Sequence, residues 1–480
     1  MLETNRQRFG ANIAIIYEER RYSYEDLDNA VNAMANHFLA SGILKGDKIV
    51  LMLPNCPEFV ISYFAAVKIG AVAVTLNIMS TSRELFDLLQ DCDAKCFITE
   101  KILAAKFTAI QDQLPLNPAL ISVTGEKDDC PFWAIIAHGN TTLTRTEAEP
   151  DDPAVIIYTS GLTGVPLGAT LTHKNLLNQS TLVRDLYHTT EKDRSLAVIP
   201  FFHSFGASVN MLSAIRVGAG MILLDRFSVE SILKSIDQDK VTYIAAVPRL
   251  FLGMVLEEDT HNYDLGSLQF CITGGSAMPP DYIAKFEEKF HVVLREGYGL
   301  TEASPVCICH RRRETHKPGS IGVPIPGTRA KIVDDAGEEV PRNAIGELAV
   351  QGDGVMKGYY KNDTATGQVI RDGWLFTGDL GRMDEDGFVF LTGRKKRLII
   401  TNGYNVYPKE VEMVLELHPD VAKAMVISKP HLIRGEIVTA LVVRNPEAVS
   451  TEKEIMKHCR AYLSSYKLPR ELTFVENLPE

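Results

Sequence analysis

Through most of its length the chain repeats one pattern, a short continuous apolar run followed by a stretch with helical spacing. "KIVLMLPN" runs into "PEFVISYFAAVKIG", "AVAVTLN" into "TSRELFDLLQDC", and "KCFITE" closes that unit. "AVIIYTS", "SLAVIP", "GMILLD", "TYIAAVP" and "LQFCITGG" follow, each trailed by a helix-like segment. A strand that is apolar without alternation is covered on both faces, and the helices that cover it impose parallel pairing. The pattern predicts an α/β protein with two parallel-rich sheets. At 480 residues the chain exceeds one ordinary core, so two to four lobes are expected.

Near residue 319 the texture changes to "GSIGVPIPGTRAKIVDDAGEEVPRNAIGELAVQGDGVMKGYY", rich in Gly and Pro with closely spaced short strands. This predicts a small β-rich subdomain over about residues 319–392 that completes a large N-terminal portion, 1–392. The charged run in "LTGRKKRLIITNG" then leads into a compact α+β lobe, 393–480, with helices in "YPKEVEMVLEL" and "TEKEIMKHCRAYL" and strands in "AKAMVIS" and "IVTALVV".

A formal net charge of −11 argues against a nucleic-acid partner, which needs a basic face, but tolerates an anionic ligand where cations are concentrated locally. The 8 cysteines are scattered and form no disulfide framework. No apolar run reaches transmembrane length, and "MLETNRQRFG" has no signal-peptide core. A cytoplasmic protein is expected, with loose peripheral membrane association and a homodimer both left open.

Four stretches carry the chemistry. "YTSGLTGVPLG", 158–168, combines the hydroxyls of Thr159, Ser160 and Thr163 with Gly161, Gly164 and Gly168 after an apolar strand, which suits phosphate; it is not a Walker loop. Standing alone such a string also reads as an ordinary strand-to-helix turn, but three hydroxyls and three glycines after a buried strand favour anion binding. In "EGYGLTEASP", 296–305, Thr301 can meet a phosphate oxygen, Glu302 can hold Mg²⁺ and Tyr298 offers a face to a purine, against a plain capped turn. "GWLFTGDLG", 373–381, sets Asp379 in a Gly-flanked turn where a carboxylate can accept both hydroxyls of a ribose. "GRKKRLIITNGYNVYPKEVE", 393–412, adds Arg394 and Lys396, a run that otherwise reads as a solvated surface.

In this order the four motifs resemble the adenylate-forming superfamily of acyl-CoA synthetases, firefly-type luciferases and peptide-synthetase adenylation domains, over nearly the whole chain. "GATLTHKNL" and "GYNVYPKEVE" are most similar to fatty-acid and other carboxylate CoA ligases. The resemblance implies that a carboxylate attacks the α-phosphate of ATP to give an acyl-adenylate and pyrophosphate. The C-terminal lobe then rotates and the thiol of CoA displaces AMP. By the same resemblance Thr159, Ser160, Gly161, Thr163 and Gly164 wrap the β,γ-phosphates, while Gly275, Ser276, Glu296, Gly297 and Tyr298 border adenine. Thr301 meets the α-phosphate, Glu302 the Mg²⁺, and Asp379 with Arg394 the ribose; Lys396 falls at the hinge, and Gly403 in the loop lining the thiol tunnel.

In "PFFHSFG", His203 occupies the position beside the reacting carboxylate. Adenylation domains for amino acids carry an Asp there, so an α-ammonium substrate is disfavoured. The small and apolar residues of "GASVNMLSAIRVGAG" and "TGGSAM" suit a fatty or aryl acid as well as they suit a plain core. "CICH" presents half of a metal set in Cys307, Cys309 and His310, but with no second pair at ligand spacing it reads as a buried strand. "RRR", 311–313, reads as a solvated loop whose charge CoA phosphates could also use.

Two departures from the family stand out. Leu162 replaces a Thr and Leu167 the Lys of the phosphate loop, and leucine neither neutralises nor hydrogen-bonds phosphate, so a weakened enzyme is expected before a dead one. The family also carries a Thr/Gly-rich C-terminal segment whose lysine contacts the carboxylate, whereas this sequence stops at "ENLPE"; the expectation is a mobile tail missing from this chain. Two other readings stay open: an acyl-AMP ligase that loads a carrier protein, and a non-catalytic nucleotide or acyl binder.

Overall fold

The parallel pairing that the apolar runs demand is realised in two sheets. The computed structural model describes the chain except for residues 125–129, 144–147, 161–165, 226–227, 315, 396–397, 432 and 480 and the side chain of Ser160. One sheet is ordered 358–359, 166–172, 153–160, 72–75, 48–52, 94–100, 119–123. The other runs 323–324, 306–309, 293–299, 270–273, 243–246, 194–197, 220–223, 13–17, 20–23. Their interiors are parallel, and antiparallel strands occupy the ends.

Helices Tyr24–Ala40 and Pro57–Lys68 pack on each other and share one core with both sheets. That core joins Phe38, Phe59 and Tyr63 from the helices to Leu51, Val155 and Ile157 on one side and Ile15, Ala197 and Met221 on the other. Pro57–Ala66 is buried on every face, which explains why this helix shows no polar stripe in the sequence.

Strand Pro153–Ser160 pairs antiparallel with Pro166–Thr172, which precedes helix His173–Ser180, so the motif leads into a second strand and not directly into a helix. Its alternation of Leu167, Ala169 and Leu171 with Gly168, Thr170 and Thr172 has the two-residue period of a strand. The helix itself starts only where Thr172 and Asn175 form a capping box.

The β-rich segment forms an antiparallel sheet of strands 328–333, 346–352, 374–383, 370–371 and 389–394. A last sheet, built from 399–401, 404–406, 421–431, 435–444 and 471–474, packs against helices Pro408–Glu416 and Glu452–Tyr462. It has a core of its own, including Ile399, Val411, Val426, Val442 and Ile455. The molecule is therefore an α/β protein with a large N-terminal part of parallel-rich sheets and a smaller C-terminal α+β domain. Among the described residues, no helix is long and apolar enough to cross a membrane.

Candidate active site

The carboxyl ends of parallel strands gather loops from different parts of the chain, and ligands of open α/β sheets bind at such ends. Thr159 is the penultimate residue of strand Pro153–Ser160, Gly275 lies just beyond strand Phe270–Thr273, Val247 follows Tyr243–Ala246, and Tyr298 lies near the end of Val293–Gly299.

Beyond Tyr298 the chain turns through the short 3₁₀ segment Thr301–Ala303. The turn is tight: a Cβ on Gly299 would lie 2.0 Å from the carbonyl oxygen of Pro305, so only glycine fits. Thr301 comes out beside Ser204, with the two hydroxyl oxygens 3.2 Å apart. Glu302 is buried and accepts a hydrogen bond from the Tyr359 hydroxyl at 2.9 Å. Burial raises its carboxyl above the ordinary value, against the opposing hydrogen bonds of Tyr359 and Thr159. Phosphate-loop hairpin and Thr-Glu turn thus meet at one carboxylate.

Leu167 lies directly across the hairpin from Thr159, and the Thr159 hydroxyl also donates to the Leu167 carbonyl at 3.3 Å. Directly opposed residues share a face, so Leu167 occupies the face from which Thr159 reaches Glu302. Gly161, Leu162, Thr163 and Gly164 lie outside the described residues, as does Lys396; nothing is described of the Ser160 side chain.

Asp379 is held from two sides. Tyr298 donates its hydroxyl to one carboxylate oxygen at 2.5 Å, and Arg394 Nε donates to the other at 2.7 Å. Strands Trp374–Met383 and Val389–Arg394 place Asp379 and Arg394 in register. A carboxylate has about four lone-pair sites, so two remain for further donors.

His203 accepts a hydrogen bond at Nδ1 from the Phe205 backbone N–H, 3.2 Å away, which puts the ring proton on Nε2. Burial pushes its pKa down to about 4, so the ring is neutral at physiological pH and acts as a donor through Nε2. His203 is next to Ser204, the partner of Thr301. The following segment, Gly206–Leu212, is a buried π-helical turn, a local form that recurs at functional sites. Ser208 in this turn donates to the Ser304 carbonyl at 2.8 Å and ties it to the Thr-Glu turn.

The C-terminal domain closes one side. Gly403 sits at φ +83, and a Cβ there would lie 2.7 Å from Val247 Cγ1. Val247 also borders Gly275, where a Cβ would lie 3.5 Å from the same methyl. Arg249 donates to Asn402 at 3.0 Å, and Tyr404 packs against the core of the large domain. Further along, Lys467 is buried between Glu84 of the large domain, at 2.7 Å, and Glu410 of its own, at 2.6 Å.

The expected set therefore divides. Thr159 and Tyr359 meet at Glu302 beside Thr301, whose hydroxyl faces Ser204 next to His203; Tyr298 and Arg394 meet at Asp379; and Gly275 and Gly403 both border Val247. Gly297 lies on the strand between, where a Cβ would lie 3.3 Å from Cys309 Sγ, and Ser276 is half-buried after Gly275. Glu296 turns its carboxylate elsewhere, with Oε2 3.9 Å from His316 Nε2. Of the three arginines, Arg311 pairs with Glu314, and Arg312 donates to the Tyr187 carbonyl and covers the Phe270 ring. Tyr359, Ser204 and Val247 escaped the sequence reading. Tyr359 alone had a signal there, as the aromatic end of "VMKGYY".

The chain as a whole has known relatives. Residues 2–360 match the AMP-binding enzyme family, and residues 410–480 match the C-terminal domain of AMP-binding enzymes. The chain belongs to this family. It is 35% identical to a long-chain-fatty-acid–CoA ligase of Bacillus subtilis, over 100% of this chain and 91% of that protein. Among solved structures it is similar to a double mutant of o-succinylbenzoate CoA synthetase from Bacillus subtilis bound to the product analogue OSB-NCoA. There the TM-score is 0.90 at 29% identity, covering 100% of this chain and 94% of that one. ATP-bound MatB from Rhodopseudomonas palustris gives 0.77 at 29% identity, covering 100% and 95%. The chain is an AMP-forming acyl-CoA synthetase, an adenylate-forming CoA ligase whose relatives act on different acids.

Proposed function

We propose that this AMP-binding enzyme activates a fatty or aryl carboxylic acid with ATP and passes the acyl group to CoA. A carboxylate has no leaving group until its oxygen is joined to phosphorus, so the first bond formed is from that oxygen to the α-phosphorus, with pyrophosphate leaving. The thiol sulfur then bonds to the acyl carbon, and AMP leaves with the bonding electrons. Thr301 donates to the α-phosphate, the Thr159 hairpin faces the β- and γ-phosphates, and Asp379 accepts from the ribose while Arg394 and Tyr298 orient it. His203 directs Nε2–H at the acid.

Glu302 fits a Mg²⁺ carried by the nucleotide. It is a carboxylate oxygen donor whose burial penalises the free anion, and it accepts from its own backbone N–H and from the hydroxyls of Tyr359 and Thr159. The ion would supply charge neutralisation on the phosphates. Lys396 is the proposed hinge, with the domain boundary near residue 393.

The observation that supports the reading is the meeting of Thr159 and the Thr301–Glu302 turn at one buried carboxylate, together with Asp379 held by Tyr298 and Arg394 and Gly403 set beside Val247. The position of Gly403 and the higher similarity to the CoA-analogue complex than to the ATP complex support a C-terminal domain posed for thiol transfer. A homodimer, a cytoplasmic location and a role in fatty-acid metabolism are parts of the same proposal.

The test is a panel of fatty and aryl acids with ATP, Mg²⁺ and CoA, scored for pyrophosphate, AMP and acyl-CoA. All three products are expected for at least one acid. Pyrophosphate and AMP without acyl-CoA, with transfer to a carrier protein's phosphopantetheine arm, would reassign the acceptor. No pyrophosphate from any acid would leave a nucleotide or acyl binder.

A further inference from the structure

The carboxylate of Glu296 faces two histidines that take no part in the nucleotide cleft. Strand Val293–Gly299 pairs antiparallel with Val306–Cys309, and the His310 N–H donates to the Glu296 carbonyl at 3.0 Å, so His310 is fixed beside Glu296. The chain then returns to set His316 against His310, with ring centroids 4.7 Å apart and planes at 73°.

Glu296 Oε2, His310 Nδ1 and His316 Nε2 are all buried and without a hydrogen-bond partner. One ligand atom from each residue lies within 4.8 Å of the other two. Buried polar atoms are nearly always satisfied, and three unpartnered atoms facing one another can be satisfied together by one bound ion. The His316–Glu296 separation of 3.9 Å is beyond hydrogen-bond reach.

We propose that Glu296, His310 and His316 bind a divalent transition metal of the zinc class, with a fourth position open to water or an exogenous ligand. Two imidazoles and a carboxylate suit borderline ions such as Zn²⁺ or Co²⁺ and do not suit Mg²⁺, which takes oxygen ligands. Ligand atoms about 2.0–2.1 Å from a tetrahedral ion lie roughly 3.4 Å from one another. The longest separation must then close by about 1.4 Å, which side-chain rotation supplies.

His310 is already oriented. Its Nε2 lies 3.0 Å from Ser320 Oγ, and in the tautomer that donates N–H to this hydroxyl the Nδ1 lone pair faces the cluster, the outer-partner arrangement common to metal-binding histidines.

The positive side chains nearby are engaged: Arg295 pairs with Glu287, Arg311 with Glu314, and Lys317 with Asp384 and Asp386. The cysteines of "CICH" are not ligands, since Cys307 Sγ points at the Tyr298 carbonyl and Cys309 Sγ at the His310 carbonyl. The ion would brace the strand that carries Tyr298 against the turn bearing His316.

The full chain, stripped with a chelator and desalted, is titrated with Zn²⁺ against a chromophoric competitor and separately with Co²⁺ in the absence of nucleotide. The expected result is stoichiometric binding, an intense visible Co²⁺ spectrum of low coordination number, and no displacement by millimolar Mg²⁺. His316→Ala, at a partly exposed position, and His310→Ala should each weaken Zn²⁺ by more than the roughly 10–100-fold that loss of an outer partner costs; Ser320→Ala should fall within that range. Zn²⁺ should raise the melting temperature of the parent and not of the ligand variants, which also shows whether each variant folds. An aquo-like Co²⁺ spectrum, or a folded His316→Ala that binds Zn²⁺ as well as the parent, overturns the site. None of these readouts requires ATP or acid, so the result is separate from the fate of the proposed reaction.

Discussion

Leu167→Lys restores a cation to the phosphate-facing hairpin, and the structure sets the size of its effect. Position 167 lies across from Thr159 on the face that reaches Glu302. Cross-strand Cβ atoms are about 5 Å apart, so a lysine stem brings its ammonium over the Thr159 hydroxyl toward the carboxylate and the phosphates it faces. At roughly 4 Å and an effective dielectric near 20, one unit pair is worth about 4 kcal/mol before side-chain ordering is subtracted. A net gain of about 1.5–3 kcal/mol remains, the usual range for hydrogen bonds to charged groups. Felt fully in the transition state, this accelerates adenylation by about tenfold to a hundredfold. Without nucleotide the ammonium meets Glu302 instead and brings its raised pKa down, so part of the gain appears as stability of the free enzyme. The assay is single-turnover pyrophosphate release at saturating acid, with ATP affinity measured alongside. Unchanged rate with ATP still bound would refute the reasoning, because other groups would then already supply the charge.

Glu302→Gln should abolish adenylation yet stabilise the free protein. The folded carboxyl is raised above its unfolded value, so its burial costs nothing in acid and progressively more as pH rises through the unfolded and then the folded pKa; a melting-temperature gain present at pH 8 and absent near pH 4 checks the sign. Gly403→Ala forces a Cβ into left-handed backbone, at about 1–2 kcal/mol, and against Val247 at 2.7 Å. Thioester formation should slow while pyrophosphate release does not, and adding Val247→Ala should recover part of the loss. Lys467→Met leaves Glu84 and Glu410 buried without their cation, a change of about 3–5 kcal/mol against the present domain pose. Stopped-flow comparison of the half-reactions should show thioester formation losing more than adenylation, and equal losses would mean that the pair serves folding alone.

Legibility in the sequence followed the range of the interaction. The apolar strands announced both parallel sheets because burial on two faces leaves a local signature, as in "AVIIYTS" and "GMILLD". Strand Pro166–Thr172 was hidden because Pro166 and Gly168 punctuate a period that is otherwise that of a strand, and Arg20–Ser23 because an exposed edge strand needs no apolar residues. Of the cleft, the motifs supplied Thr159, Thr301, Glu302 and Asp379. The groups that hold them were invisible: Tyr359 reaches Glu302 across 57 residues and Ser204 reaches Thr301 across 97. Neither separation has a period for a sequence reader to find.

The same rule explains why the histidine cluster is not legible in the sequence. "CICH" reads as half of a metal site, and along the sequence no second pair at ligand spacing completes it. The structure puts the other donors on different backbone paths: Glu296 on the neighbouring antiparallel strand and His316 on the return of the turn. Strand alternation then separates the four residues of the motif. Cys307 and Cys309 share a face and turn to backbone carbonyls, while His310, one position on, meets Glu296. Ligand spacing along a sequence reports a metal site only when one loop or helix carries the set. A site assembled across a strand pair is found from its unsatisfied atoms, and in this chain Glu296 Oε2, His310 Nδ1 and His316 Nε2 are those atoms.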